Sequence, residues 1–151
     1  MLKTLLQLNI GESLPSSQWQ DINQQDIDLF AKATGDYQWI HVDPVRCAID
    51  SPYKSTIAHG YLCVTLMPNV FYQMFAADPK YPTILNYGVD KIRFLEPVRV
   101  NDKIRYHSKL VGIEQKLSGR LFCFETEVEI AQRTKPAMKG LFLMLLLGGC
   151  E

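Results

Sequence analysis

Two hydrophobic rhythms divide the chain. Ile27, Phe30, Ala31 and Thr34 recur at helical spacing, so Ile22–Thr34 predicts a helix with one buried face. Asn23 supplies an N-cap with Asp26 three residues on, and Ile22 and Ile27 form the two ends of a hydrophobic staple. Gly35 stops the helix. Gly35–Pro44 and Asp50–Thr56 read as loops, with a short helix opening at Pro44. Ala58–Phe75 is apolar nearly all round and predicts a long buried helix, kinked or broken at Pro68. Ahead of all this, residues 1–21 read as a lead-in broken by Gly11, Pro15, Ser16 and Ser17, with Trp19 covering an edge of the core.

Beyond the Pro79–Pro82 turn the period changes to two. Leu85–Phe94 favours a strand. Ile104, Tyr106, Ser108 and Leu110 alternate with Lys103, Arg105, His107 and Lys109, a half-exposed strand. Leu117–Arg120 is a turn, and Phe122 to Ile130 carries the cleanest alternation. Met138–Leu147 is apolar on both faces and predicts a central strand. Helices first and antiparallel strands after them give an α+β domain over residues 1–151, its sheet wrapped around a long helix. One helix covers such a sheet on one side only, so a homodimer is expected.

Composition narrows the function. The 151 residues are 47% hydrophobic and 21% charged, with zero formal net charge. That balance argues against a nucleic-acid partner, whose phosphates favour a basic surface. The longest apolar run, Leu141–Leu147, is too short to span a bilayer as a helix. Cys47, Cys63, Cys123 and Cys150 form no CxxC pair, and Met1–Ile10 lacks a signal-peptide core, so reduced thiols in a cytoplasm are expected.

Asp36 and His41 are the first candidate chemistry. They read either as a general acid–base dyad or as a loop cap and a hydrogen-bonded core histidine. Gln38 between them can hold a catalytic group or a water. Ala58-His59-Gly60 opens the apolar segment, where free N–H groups and a glycine would admit a developing oxyanion. Asn86 and Tyr87, beside Gly88, are candidate substrate contacts at the start of the sheet. His41, Asp43 and His59 fit no zinc motif. Cys47 and Cys63 are conceivable nucleophiles, although cysteines in apolar helices usually pack.

Gly35-Asp36-Tyr37-Gln38-Trp39-Ile40-His41, with Ala48 downstream and Ala58-His59-Gly60 beyond, resembles the MaoC-like (R)-specific enoyl-CoA hydratases. The wording of these stretches, together with Asn86-Tyr87-Gly88, is most similar to the NodN-like branch. Gln38-Trp39 stands where the commoner hydratase wording has Asn-Pro, which bears on substrate choice. The resemblance implies a hot dog fold, a homodimer, acyl-CoA or acyl-carrier thioester substrates, and no metal or redox cofactor. Asp36 and His41 would share one water, and the Gly60 N–H would hold the thioester oxygen. Two other readings keep the fold: an acyl-CoA thioesterase, disfavoured because Thr56 to Leu62 holds no acid, and a non-catalytic acyl-thioester binding module.

Overall fold

The computed structural model describes residues 1–148. Cys150 therefore lies outside the described residues. Helix α1 (Gln24–Thr34) starts and stops as its sequence dictates. The Asn23 side chain accepts the Asp26 N–H, closing a capping box, and Gly35 ends the helix in the left-handed region at φ 82°. Ile27 and Ala31 carry its buried face.

The expected loop after Gly35 is partly helical. Trp39–Val42 forms one turn, α2, and Pro44–Asp50 forms α3, capped by Asp43 accepting the Arg46 N–H. The Arg46 guanidinium lies 4.2 Å over the Trp39 ring. A proline at Trp39 could not supply that stacking surface.

The long central helix is two short ones. Gly60–Thr65 (α4) and Met67–Phe71 (α5) meet at Leu66, with Pro68 in the first turn of the second. Proline lacks an N–H and is tolerated there, where no intrahelical bond is due. Tyr72–Phe75 continue as irregular chain, yet Met74 and Phe75 remain buried.

Five antiparallel strands follow the order β1-β3-β4-β5-β2: β1 Gln20–Asp21, β2 Ile84–Phe94, β3 Lys103–Lys116, β4 Gly119–Ile130 and β5 Met138–Leu147. β5 is interior, as its apolar composition predicts, and buries Phe142, Met144, Leu145 and Leu146. The sheet closes on α4 and α5 through Phe71, which packs on Phe124 with ring centroids 5.0 Å apart. The Tyr106 hydroxyl donates to the Cys63 carbonyl at 2.8 Å, joining β3 to α4. The lead-in is docked rather than loose, with Leu5, Leu8 and Leu14 buried. Trp19 is half-exposed, and the Arg105 guanidinium of β3 sits 4.4 Å over its ring.

The two sheet edges differ. β1 has two residues, whereas β2 has eleven, nearly all exposed, among them Leu85, Tyr87 and Val89. Among the described residues no helix is long and apolar enough to cross a membrane.

Candidate active site

Three connections converge beside the start of α4. The first is the turn after α1. Asp36 follows the left-handed Gly35, and its Oδ1 accepts the Gln38 N–H at 3.2 Å. This fixes the carboxylate at the protein surface, 52% exposed. Gln38 caps α2 through its backbone, since its carbonyl accepts the His41 N–H. Its side chain is exposed.

The second is α2, which turns His41 inward. His41 is 6% exposed, a buried histidine on a helical turn where the sequence predicts a loop. Its Nδ1 lies 2.7 Å from the Ile57 carbonyl oxygen. A carbonyl oxygen only accepts, so Nδ1 carries the proton and Nε2 keeps a lone pair. Burial pushes the imidazole below its ordinary pKa, the Ile57 carbonyl opposes this, His59 reinforces it and Asp36 opposes it more weakly.

The third is the Ile57–Gly60 segment. Its backbone is tied to both sides: the Ile57 N–H donates to Ile40 and the Ala58 N–H to Val98. His59, 2% exposed, places Nε2 at 3.0 Å from the Asp36 carbonyl oxygen. Its ring stacks on that of His41, centroids 3.8 Å apart and planes 21° from parallel.

A cation does not fit these groups well. The Asp36 carboxylate and both imidazoles bring one ligand atom each to within 4.8 Å of one another. Imidazole lone pairs lie in the ring plane, and metal–nitrogen bonds run about 2.0–2.1 Å. With the rings stacked, an ion in one plane stands well off the other, so coordination would require a ring to turn.

Beside this cluster opens a cavity of about 340 Å³, lined by His41, Tyr53, Gly60, Phe94, Glu96 and Ala137 among others. Gly60 begins α4, and the first N–H groups of a helix have no acceptor within it. At six residues α4 contributes little macrodipole, so the N–H itself is what Gly60 offers. The Phe94 ring packs against Gly60 so closely that a Cβ there would meet it at 2.9 Å.

Asn86 and Tyr87 are not brought to this cavity. Asn86 lines a second, apolar cavity of about 330 Å³ with Met67, Phe71, Phe142 and Met144. Tyr87 is exposed on β2, with the Lys116 ammonium 5.7 Å from its ring. A larger depression, about 910 Å³, lies against charged residues of the sheet such as Arg93, Glu127 and Lys139, and neither Asp36 nor His41 lines it. Cys47 and Cys63 are buried and burial raises both thiols, Cys63 to about 12, which leaves neither a ready thiolate.

Sequence reasoning misses Gln24. Its amide donates to the His41 carbonyl at 2.8 Å, and the Thr56 hydroxyl donates to its oxygen. This side chain therefore ties α1, α2 and the segment before α4. It sits in the capped first turn of α1, where a surface glutamine is unremarkable from sequence alone.

Residues 6–132 match the protein family described as the MaoC like domain. The 3-hydroxyacyl-thioester dehydratase Z of Mycobacterium tuberculosis is 42% identical over 128 residues, covering 84% of this chain and 83% of that protein. Nodulation protein N of Rhizobium meliloti is 38% identical over 142 residues, covering 90% and 85%. Among solved structures, an unliganded (R)-hydratase from Pseudomonas aeruginosa superposes with a TM-score of 0.77 at 22% identity, covering 99% of this chain and 88% of that one.

Proposed function

The chain belongs to the MaoC-like dehydratase family and has its hot dog fold, and on that premise we propose that it adds water to trans-2-enoyl thioesters, or removes it from (R)-3-hydroxyacyl thioesters. It is a hydro-lyase, as its dehydratase relative is. The observation that carries the reading is His41, which commits Nδ1 to the Ile57 carbonyl, brings a ring nitrogen within 4.8 Å of the Asp36 carboxylate and lines the same cavity as Gly60.

In the hydration direction a water is held between Asp36 and His41. Its oxygen adds to C3 while one proton passes to Nε2 of His41. Electrons of the double bond move toward the thioester oxygen, which accepts the Gly60 N–H. The imidazolium then returns its proton to C2, so the elements of one water are added in total. Asp36 accepts a hydrogen bond from the attacking water and offsets the charge on the imidazolium. A depressed imidazole pKa suits this role, because the ring starts neutral near pH 7.

The apolar cavity between α5, β2 and β5, with Asn86 on its wall, is space for the acyl chain. The eleven-residue β2 is an unprotected edge, whereas β1 is too short to pair further. We assign β2 to a homodimer contact, which would pair the edges of two copies and cover Leu85 and Val89.

A thioesterase reading has one observation in its favour. Glu96 lines the same cavity as His41 and supplies the acid that the helix start lacks. It faces Arg133 at 3.8 Å, which leaves it less free to activate water. Crotonyl-CoA separates the two. Loss of enoyl absorbance without free thiol supports hydration. Thiol release that is lost in Glu96→Gln supports hydrolysis, and neither change marks a binding module.

A further inference from the structure

His59 touches both members of the dyad and neither side of that contact is accounted for by the water-addition chemistry. Its Nε2 holds the backbone carbonyl of Asp36 at 3.0 Å, and its ring lies under that of His41 at 3.8 Å. Phe30 of α1 also packs against it, ring centroids 4.9 Å apart and planes tilted by 58°. The Asp36 carboxylate stands 3.9 Å from Nε2, too far for a hydrogen bond.

The tautomer follows from these partners. Nε2 faces a carbonyl and must donate, which leaves the lone pair on Nδ1. Nδ1 is buried and has no hydrogen-bond partner. His59 is a buried ring with one donor, given to the Asp36 carbonyl.

We propose that His59 is the positioning residue of the dyad: one side chain pins the backbone of Asp36 and shields one face of His41, so that the two groups keep a common geometry. The proposal rests on the water-addition reading for its catalytic consequence, but its structural half stands apart from it. Shielding has an electrostatic result. With one face of His41 against another ring, water reaches the imidazole less, which disfavours its charged form. The other titratable groups facing His41 are Asp36 from the turn after α1 and, across the cavity, Tyr53, Cys63 and Glu96.

The two contacts separate by substitution. Gln at position 59 keeps a donor at the place of Nε2 and removes the ring. Phe keeps the ring and removes the donor. In His59→Gln the pKa of His41 rises toward the ordinary imidazole value of about 6.5, and the acid limb of the rate profile moves up with it. In His59→Phe the shielding ring stays and the limb moves less than in His59→Gln, while turnover falls about 10- to 100-fold at nearly unchanged KM, because Asp36 is no longer pinned.

The experiment is an NMR pH titration of the imidazole resonances, which needs no activity. The chain has three histidines, so each is assigned by its own substitution. The expected result is a His41 pKa that rises in His59→Gln. Crotonyl-CoA hydration is then measured on folded variants. An unchanged His41 titration in His59→Gln, or native turnover in His59→Phe, overturns the positioning role. If the titrations behave as expected but the native protein bleaches no enoyl thioester, the reaction reading fails and the structural half stands.

Discussion

The Nδ1 proton of His41 is committed to the carbonyl of Ile57, 2.7 Å away and sixteen residues along the chain. That bond leaves the lone pair on Nε2, which is able to take a proton. It also means that His41 is an anchored, buried side chain, not a free loop residue.

Replacing Asp36 by Asn is therefore the cleaner test of the dyad. Its side chain is half exposed, and Asn keeps the oxygen that accepts the Gln38 N–H. Turnover is expected to fall by about 100-fold or more with little change in stability. For His41, Asn retains a donor near the position of Nδ1, whereas Ala leaves a buried carbonyl unpaired. His41→Asn is expected to be inactive and folded, and His41→Ala inactive and less stable. Paired turnover and thermal melts check both; native turnover in folded Asp36→Asn would remove the dyad.

The pH profile carries a sign. Burial holds His41 below the ordinary imidazole range, so it stays neutral further into acid. In the hydration direction kcat/KM is expected to be flat at pH 7 and to fall only below about pH 6.5, as His41 protonates. A limb above that value would show that His41 is not the titrating base.

Gly60 must be tested together with Phe94. A side chain at position 60 collides with the Phe94 ring, so Gly60→Ala alone confounds lost space with a lost hydrogen bond. In a Phe94→Ala background the crowding is relieved. If the Gly60 N–H serves the thioester oxygen and the added methyl displaces it, a rate loss of up to about 2.7–4 kcal/mol remains in the double variant. Full recovery of turnover in the double variant would assign the effect to space alone.

Light scattering is expected to give a dimer at micromolar concentration. Leu85→Lys with Val89→Lys places charges along the exposed edge β2 and is expected to shift the protein to monomer. A native monomer, or a double variant that remains dimeric, would place the contact elsewhere or nowhere.

The Tyr106 hydroxyl tests the clasp between sheet and helix. Tyr106→Phe leaves the Cys63 carbonyl without this donor in a buried setting. The denaturant midpoint is expected to fall by about 1–2 kcal/mol of stability at unchanged slope. The dyad lies on other elements, so turnover of the folded variant is expected to hold.

Much of this was legible in the sequence because it depends on neighbours along the chain. The capping box of Asn23 and Asp26, the left-handed stop at Gly35 and the alternation of β4 each involve groups a few residues apart. So does the Gly-Asp…His wording that keeps Asp36, in the turn after α1, and His41, on α2, five residues apart. The division of the long apolar segment at Pro68 was legible too, because proline lacks the N–H that a helix interior needs. Tertiary structure alone decided the rest. The contacts that define the site join residues far apart: His59 to Asp36 across 23 positions, Thr56 to Gln24 across 32. Asn86 and Tyr87 share a motif-like stretch with Gly88, yet strand β2 carries them to another cavity and to the surface. Periodicity and capping chemistry act over one or two turns of backbone, whereas the packing that sets a tautomer or stacks two imidazoles exists only once the loops have closed on the sheet.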